Sequence, residues 1–299
     1  MPKIKYLNKN LGAAKLAVIA QANLIIDEYR AQGFELTLRQ LYYQFVARDL
    51  IANNQKEYDN LGAAIADGRL VGLVDWEAII DRTRNLKSVA HWADPAEIMD
   101  VVSKQFRVDK WDNQPFRPEV WIEKDAVAGV VEGICEELDV PYFSCRGYTS
   151  LSEMWAGAMR MRRHIRTNQV PLILHFGDHD PSGKDMTRDI TDRLKMFMGG
   201  LEVRRLALNW DQIQQYNPPP NPAKLSDSRA AAYVAEFGHE SWELDALEPR
   251  VLVDLIRNTV LSFRDEDKWS ERVESEDRDR ELLGKASDRW EDVVELLEG

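Results

Sequence analysis

The chain has 299 residues and a formal net charge of −12, and hydrophobic side chains make up 44% of it. This content is typical of a folded globular protein, and the length suffices for two domains of ordinary size. No apolar run approaches the roughly 20 residues that a membrane-spanning helix requires, and the N-terminal Met-Pro-Lys-Ile-Lys-Tyr lacks the apolar core of a secretory signal. We therefore expect a cytoplasmic protein without a membrane partner, with Cys135 and Cys145 as buried thiols.

The negative net charge does not exclude a nucleic-acid partner. Residues 1–120 are balanced in charge, and the excess of acid lies downstream, in runs such as Asp265-Glu266-Asp267. A local basic surface still binds phosphates on an acidic protein, because salt confines the field of each charge to about 10 Å. Whether the protein binds nucleic acid therefore depends on the charged side chains at the binding surface and not on its net charge.

The N-terminal part has the hydrophobic periodicity of three helices. The predicted elements are helices at residues 11–31, 38–48 and 55–67, followed by a short β-like piece at 70–76. Thr37 is the expected N-cap of the second helix, and Gly68 the expected end of the third. Three short helices and a hairpin-like wing are the pattern of a winged helix-turn-helix, whose third helix would present Gln55 and Lys56 to DNA. A generic three-helix packing unit is the alternative.

Strands alternate with helices after an irregular linker, which carries Arg82 and Arg84 and a helix near residues 95–105. The predicted elements are strands at 120–122, 140–144, 172–176 and 202–208, with helices at 126–138, 150–167 and 184–198 between them. This alternation predicts a parallel sheet in a Rossmann-like α/β domain. The predicted divisions are an N-terminal helical domain at 1–85, a linker at 86–117, the α/β domain at 118–250, and an acidic segment of two helices at 251–299.

An acidic turn follows the third predicted strand. Asp178 and Asp180 stand two residues apart where that strand ends, and Pro181 and Gly183 then let a helix begin. Glu123 follows the first predicted strand, and parallel strands bring their C-terminal ends to one edge of the sheet. Three carboxylates at one edge repel each other unless a hard cation lies between them. We therefore predict that Glu123, Asp178 and Asp180 bind Mg²⁺, or alternatively Mn²⁺.

Two other metal interpretations of this region are weaker. The turn matches positions 1, 3, 5, 6 and 12 of an EF-hand calcium loop at Asp178, Asp180, Ser182, Gly183 and Asp189. That loop requires a helix before it, whereas the preceding segment is predicted to be a strand. His175 and His179 show no zinc-type spacing and are expected to be core or supporting histidines.

Tyr42 and Tyr43 stand together on the second predicted helix. Such a pair is most often part of a hydrophobic core. A phenol, with a pKa near 10, becomes a nucleophile only beside a metal or a base. The local sequence supplies neither, so the base for a reactive tyrosine would have to come from the α/β domain.

Taken together, these segments resemble the A subunit of type IIB topoisomerases (topoisomerase VI) and the related meiotic double-strand-break transesterase. The similar segments, in the family's order, are Thr37-Leu38-Arg39-Gln40-Leu41-Tyr42-Tyr43, Asn54-Gln55-Lys56-Glu57-Tyr58-Asp59, Ile122-Glu123-Lys124-Asp125-Ala126, Arg146-Gly147-Tyr148 and Gly177-Asp178-His179-Asp180-Pro181-Ser182-Gly183. The resemblance covers about residues 11 to 250. It implies a winged-helix domain that carries the tyrosine, followed by a Toprim domain.

The resemblance implies Mg²⁺-dependent DNA cleavage by transesterification, which leaves a 5′-phosphotyrosyl link. Tyr43 aligns with the attacking tyrosine, and Arg39 and Glu123 are further candidate catalytic residues. Glu123, Asp178 and Asp180 align with the metal-binding acids. The candidate DNA-binding residues are Gln55, Lys56, Arg82, Arg84 and Arg146. In the family the tyrosine acts in trans on the partner chain's Toprim site, which implies a homodimer.

The chain also departs from the family. Arg146 replaces a lysine, and the expected docking extension for a GHKL-type ATPase subunit is short or missing. These departures favour a small stand-alone, nucleoid-associated relative, of a kind that suits a phage or mobile element, over one that depends on an ATPase partner. Two alternatives stay open. One is a Toprim nuclease that uses metal-bound water, with both tyrosines in the core; the other is a non-catalytic DNA-binding partner.

Overall fold

The computed structural model describes residues 3–80 and 89–299, which form a mixed α/β protein. Arg82 and Arg84 lie outside the described residues. The helices that precede the sheet are α1 (Ala13–Ala31), α2 (Leu38–Ala47), α3 (Gln55–Leu70) and α4 (Pro95–Gln105). The first three pack around one apolar core, which includes Ile25, Leu41 and Ile65. The predicted helices of the N-terminal part are therefore confirmed.

Local sequence signals explain where these helices begin. Thr37 and Gln40 form a capping box at the start of α2, in which the Gln40 N–H donates to the Thr37 hydroxyl and the Thr37 N–H donates to the Gln40 side chain. The prediction that α3 ends at Gly68 is wrong, since α3 continues to Leu70. A Cβ at Gly68 would lie 2.7 Å from Cγ2 of Val74, so this glycine permits close packing instead of stopping the helix.

The predicted β-like piece at residues 70–76 is also wrong. In the described residues Leu70 is the last residue of α3, and residues 71–76 form a turn whose β contact is a single bridge between Val71 and Lys5. The segment lacks the run of alternating apolar residues that pairs a strand along its whole length. The winged-helix assignment therefore stays a prediction.

The α/β part contains the predicted parallel sheet. Its strands are β1 (Phe116–Ile122), β2 (Tyr142–Ser144), β3 (Val170–Phe176) and β4 (Glu202–Ala207), and the helices between them are α5 (Ala128–Glu137), α6 (Leu151–Arg166) and α7 (Pro181–Met198). The strands are ordered β2-β1-β3-β4, and all three pairs are parallel. The C-terminal ends of β1 and β3 therefore lie side by side, with Ile122 opposite Phe176.

Further elements follow the sheet along the chain. They are α8 (Trp210–Tyr216), β5 (Asn221–Pro222), α9 (Ala230–Phe237), β6 (Glu240–Ser241), α10 (Pro249–Phe263), α11 (Glu266–Asp288) and α12 (Trp290–Glu298). The last 50 residues thus form three helices, where two were predicted. α11 packs against α4, and a buried ion pair joins Lys110 to Glu276 at 2.7 Å. In the described ranges each helix is too short or too polar to cross a lipid bilayer.

Helices cover both faces of the sheet. Alternate side chains of a strand point to opposite faces, so Val120 and Ile122 pack with α5 and α10, whereas Trp121 packs with α6 and α7. Because both faces are buried, the inner strands β1 and β3 are rich in apolar residues. Polar side chains gather at the strand ends, which places the candidate site at the C-terminal edge of the sheet.

Candidate active site

The C-terminal edge of the sheet holds the three predicted metal-binding acids. Glu123 follows β1, and Asp178 and Asp180 lie between β3 and α7. The Asp178 backbone N–H donates to Oε2 of Glu123 at 2.8 Å. Oδ1 of Asp180 accepts from the Gly183 N–H at 2.6 Å and so caps α7. The three residues are thus brought to one place by two neighbouring strands and a helix cap.

Two glycines allow the chain to turn tightly around these acids. A Cβ at Gly183 would lie 2.3 Å from the Asp178 carbonyl oxygen, well inside a van der Waals contact. A Cβ at Gly177 would lie 2.9 Å from Oε2 of Glu123. The tight turn therefore depends on glycine at position 183, where the contact is with the backbone, whereas at position 177 the contact is with the end of the Glu123 side chain.

A lysine ammonium lies among the carboxylates. Nζ of Lys124 stands 2.7 Å from Oδ2 of Asp178, 3.2 Å from Oε2 of Glu243 and 3.7 Å from Oδ1 of Asp245. The other oxygen of Asp178, Oδ1, accepts from the Leu244 N–H at 2.8 Å. The segment after β6 therefore adds two acids to the site, and both oxygens of Asp178 have partners.

Tyr43 joins this network from α2. Its hydroxyl donates to Oε2 of Glu243 at 2.6 Å. Arg39, one helical turn earlier, hydrogen-bonds to both Glu243 and Asp245, with Nε 2.5 Å from Oδ2 of Asp245. Nη2 of Arg39 stands 3.5 Å from the Tyr43 hydroxyl. Glu243 lies in the predicted α/β domain, from which the base for a reactive tyrosine was expected to come. The contact between Tyr43 and Glu243 forms within one chain.

Tyr42 has a different environment from Tyr43. Its hydroxyl donates to Oδ1 of Asn53 at 2.9 Å and to the Asn54 carbonyl at 3.2 Å. Its ring meets Tyr43 edge-on, with centroids 5.3 Å apart. Tyr42 therefore anchors the loop before α3, and Tyr43 alone of this pair contacts the acidic network.

The acids at the sheet edge are held out of water and repel each other. Burial, and then the neighbouring charge of Asp178, raises the pKa of Glu123 to about 8. Burial also raises the pKa of Asp178 to about 6, against the opposing effect of Lys124. Protons therefore bind these carboxyl groups more tightly than usual, because burial and the repulsion between the acids outweigh the positive charge of Lys124.

Glu243 behaves in the opposite way. Burial alone would raise its pKa, but Lys124, the Tyr43 hydroxyl and Arg39 outweigh burial and lower the pKa to about 2. Burial, and then the charge of Asp245, raises the pKa of the Tyr43 hydroxyl. At neutral pH the pair is therefore a protonated phenol that donates to an ionised carboxylate.

The charge balance of the network fits a divalent cation. It contains the five acids Glu123, Asp178, Asp180, Glu243 and Asp245, and the three bases Arg39, Lys124 and Arg205. The formal excess is two negative charges, and carboxylate oxygens are the ligands that Mg²⁺ prefers. In the described ranges no three His, Cys, Asp or Glu side chains are already arranged around a metal position. The chemistry of the donors therefore suits Mg²⁺, and ligation requires some of them to move.

Of the predicted DNA-binding residues, Gln55, Lys56 and Arg146 lie in the described part of the chain. Gln55 and Lys56 are exposed at the start of α3, and Gln55 bonds Asp59 on its own helix. Arg146 is exposed after β2 and pairs with Asp125 at 2.7 Å. Arg146, Arg39 and Arg69 line a cleft of about 1190 Å³ between α2, α3 and the end of β2, which also contains Glu35, Asp125 and Glu132. The cleft thus leads to Arg39 without being strongly basic.

No functional role was predicted from the sequence for Lys124, Glu243 or Asp245. Lys124 stood inside a quoted motif, next to Glu123. Trp242-Glu243-Leu244-Asp245 alternates apolar and acidic residues, which is a signal that two acids share one side of an extended segment. The sequence shows that alternation, but it does not show which part of the fold the acids face.

Comparison with protein-family models, curated proteins and solved structures found no match to this chain. The family resemblance described for the sequence therefore stays a prediction.

We expect acid to destabilise the fold through His175, which is fully buried on β3. Burial and then Arg205 lower its pKa to about 3, whereas an unfolded histidine titrates near 6.5. The unfolded chain therefore binds the proton first, so this contribution to stability is complete above about pH 6.5 and falls as the pH drops toward 3, at about 1.4 kcal/mol per pH unit. Urea unfolding of the wild type and of His175→Gln, between pH 7 and pH 4, should give a smaller pH slope for the variant.

His91→Gln serves as the control, because His91 is exposed. Its pH slope should equal that of the wild type. Equal slopes for the wild type and His175→Gln would contradict the assignment of a neutral buried imidazole at this position.

Proposed function

We propose that this chain cleaves DNA by transesterification, with Tyr43 as the nucleophile, in a winged-helix plus Toprim architecture like that of the topoisomerase VI A subunit. The observation that supports this most is the 2.6 Å hydrogen bond from the Tyr43 hydroxyl to Glu243. It joins a tyrosine of the N-terminal helices to the acidic edge of the parallel sheet. A nucleophile and its base in hydrogen-bond contact are the arrangement that activates a hydroxyl.

The chemical step follows from this pair. The Tyr43 oxygen attacks the phosphorus of a DNA phosphodiester and forms the new O–P bond, while its proton passes to the Glu243 carboxylate. The bond from phosphorus to the 3′ oxygen breaks, and that oxygen takes a proton from solvent. The products are a 5′-phosphotyrosyl link and a free 3′ hydroxyl, so the number of phosphoester bonds does not change.

Positive charge for the reacting phosphate comes from the same network. Arg39 contacts Glu243 and stands 3.5 Å from the Tyr43 hydroxyl, so its guanidinium can bind a phosphate oxygen at the point of attack. Lys124 adds a second cation. Glu123, Asp178 and Asp180 would hold Mg²⁺, which when bound supplies further charge stabilisation to the phosphate.

The site is open to solvent at Arg39 and Glu243, the two residues that contact the Tyr43 hydroxyl. Tyr43 itself is only 3% exposed, but the side chains of Arg39 and Glu243 are 41% and 27% exposed. DNA would therefore approach across these two residues, next to the cleft that contains Arg146. A break in both strands needs two tyrosines, which the predicted homodimer would supply.

The low exposure of Tyr43 favours one second candidate, a nuclease in which both tyrosines are core residues and a metal-bound water attacks the phosphate. The two candidates give different products. Hydrolysis leaves free DNA ends, whereas transesterification leaves protein on the 5′ end.

The experiment that tests the proposal incubates the protein with end-labelled DNA and Mg²⁺ and stops the reaction with detergent. We expect labelled DNA to remain attached to the protein through its 5′ end and to be released by protease. Cleaved DNA with no attached protein would favour the nuclease. Intact DNA that nevertheless binds the protein would favour a non-catalytic partner.

Glu243→Gln should slow formation of the covalent product by about 10² to 10⁴-fold, because a glutamine accepts the hydrogen bond but not the proton. The rate is measured in single-turnover reactions with excess protein. Glu240→Gln is the matched control, since Glu240 is exposed on β6, three residues earlier. Equal rates for Glu243→Gln and the wild type would remove Glu243 from the mechanism.

A further inference from the structure

We propose that Glu243 and Asp245 belong to the divalent-cation site, and that Lys124 occupies this site when no metal is bound. The proposal deepens the proposed function and rests on it only for the use that is made of the cation. It changes the expected ligand set, because Glu243 and Asp245 lie more than 60 residues after the acidic turn that follows β3. It also gives Lys124 a role, because its ammonium would compete with the metal for the same carboxylates.

The geometry around Lys124 supports a cation position. Its ammonium is shared by Asp178, Glu243 and Asp245, at distances from 2.7 to 3.7 Å. These acids come from two separate segments, the turn between β3 and α7 and the segment after β6. The three carboxylates thus lie 2.7 to 3.7 Å from one ammonium. In the described residues they are not yet arranged around a metal position, so a metal in place of the ammonium would have to draw them closer.

Asp245 gives a second, independent indication. Its side chain is completely buried, and its Oδ2 is bound by Arg39. Its Oδ1 has no hydrogen-bond partner in the described part of the chain, and the nearest ammonium, that of Lys124, is 3.7 Å away. A buried carboxylate oxygen without a donor is unfavourable. Oδ1 of Asp245 points toward the Lys124 ammonium but is too far from it for a hydrogen bond. A metal ion at this position would therefore gain Oδ1 of Asp245 as a ligand.

Lys124 is able to leave this position. Its side chain is 23% exposed, and four flexible methylenes connect the ammonium to the backbone. Departure of the ammonium and entry of a divalent ion would halve the formal excess of negative charge in the network described above. Because the acids of the network outnumber its bases, the electrostatic energy favours replacement of the singly charged ammonium by a doubly charged metal ion.

The test measures binding of Mn²⁺ to the metal-free full chain, without DNA, from the loss of the free-ion signal in electron paramagnetic resonance. Lys124→Met removes the competing ammonium and should tighten Mn²⁺ binding at least tenfold. Asp245→Asn should weaken binding at least tenfold. Glu243→Gln should weaken it as well, and it covers the case in which the fully buried Asp245→Asn does not fold. Lys104→Met, on the exposed face of α4, should leave the affinity unchanged.

The outcomes are decisive in both directions. Unchanged or weaker binding in Lys124→Met would overturn the proposal, as would wild-type affinity in both Asp245→Asn and Glu243→Gln. Mn²⁺ binding is measured without DNA and without turnover. Loss of DNA cleavage as a function would therefore leave this result standing, and failure of the Mn²⁺ result would leave the cleavage assay unaffected.

Discussion

Tyr43→Phe is expected to abolish the covalent protein–DNA product, with a fall of at least about a thousandfold, as expected when a nucleophile is removed. The substitution deletes the oxygen that would bond to phosphorus and leaves the ring in place. The covalent product is measured as labelled DNA that stays with the protein after detergent and heat. DNA binding should persist, because the proposed phosphate contacts belong to Arg39 and Lys124.

Tyr42→Phe is the matched control on the same helix. It loses the hydrogen bonds to Asn53 and Asn54 but keeps the Tyr43–Glu243 pair, so the covalent product should still form. Circular dichroism establishes that both variants are folded. Undiminished covalent product in Tyr43→Phe would show that another residue is the nucleophile.

Gly183→Ala should destabilise the protein by about 3 kcal/mol or more, the upper range for overpacking. The new Cβ would lie 2.3 Å from the Asp178 carbonyl oxygen, so the start of α7 must move away from the acidic turn. That movement also breaks the Asp180 cap, whose oxygen accepts the Gly183 N–H. The loss is measured as the change in the free energy of unfolding in urea.

Gly133→Ala is the control for this substitution. Gly133 lies in the interior of α5, and a Cβ there would meet no atom within 4 Å. Alanine should therefore stabilise the helix by up to about 1 kcal/mol. If Gly183→Ala were as stable as the wild type, the tight turn around the acids would not be required by the fold.

The sequence predicted the parts of the fold that depend on local patterns. The segment from Leu172 to Phe176 predicted a buried strand, and Thr37 predicted the start of α2. The failures lie where a tertiary contact decides. Gly68 resembles a helix stop but is a packing contact with Val74, and residues 70–76 have strand-like composition without a partner strand.

The contacts of the site also fall into those that the sequence could predict and those that depend on tertiary packing. Glu123 and Asp178 could be predicted to meet, because a rule of topology brings the ends of parallel strands to one edge. The pair of Tyr43 and Glu243 could not, since 200 residues separate the two in the chain and no periodic pattern connects them. The packing of α2 on the segment around Leu244–Ala246 creates that contact.

Locating the covalent bond tests directly whether Tyr43 is the nucleophile. The detergent-stopped complex is digested with trypsin and nuclease, and the peptides are sequenced by tandem mass spectrometry. Cleavage after Arg39 and Arg48 gives a peptide, 40–48, that contains both Tyr42 and Tyr43. The proposed mechanism predicts a nucleotide on Tyr43 of this peptide. Cleaved DNA with this peptide unmodified, or with the nucleotide on Tyr42, would contradict it.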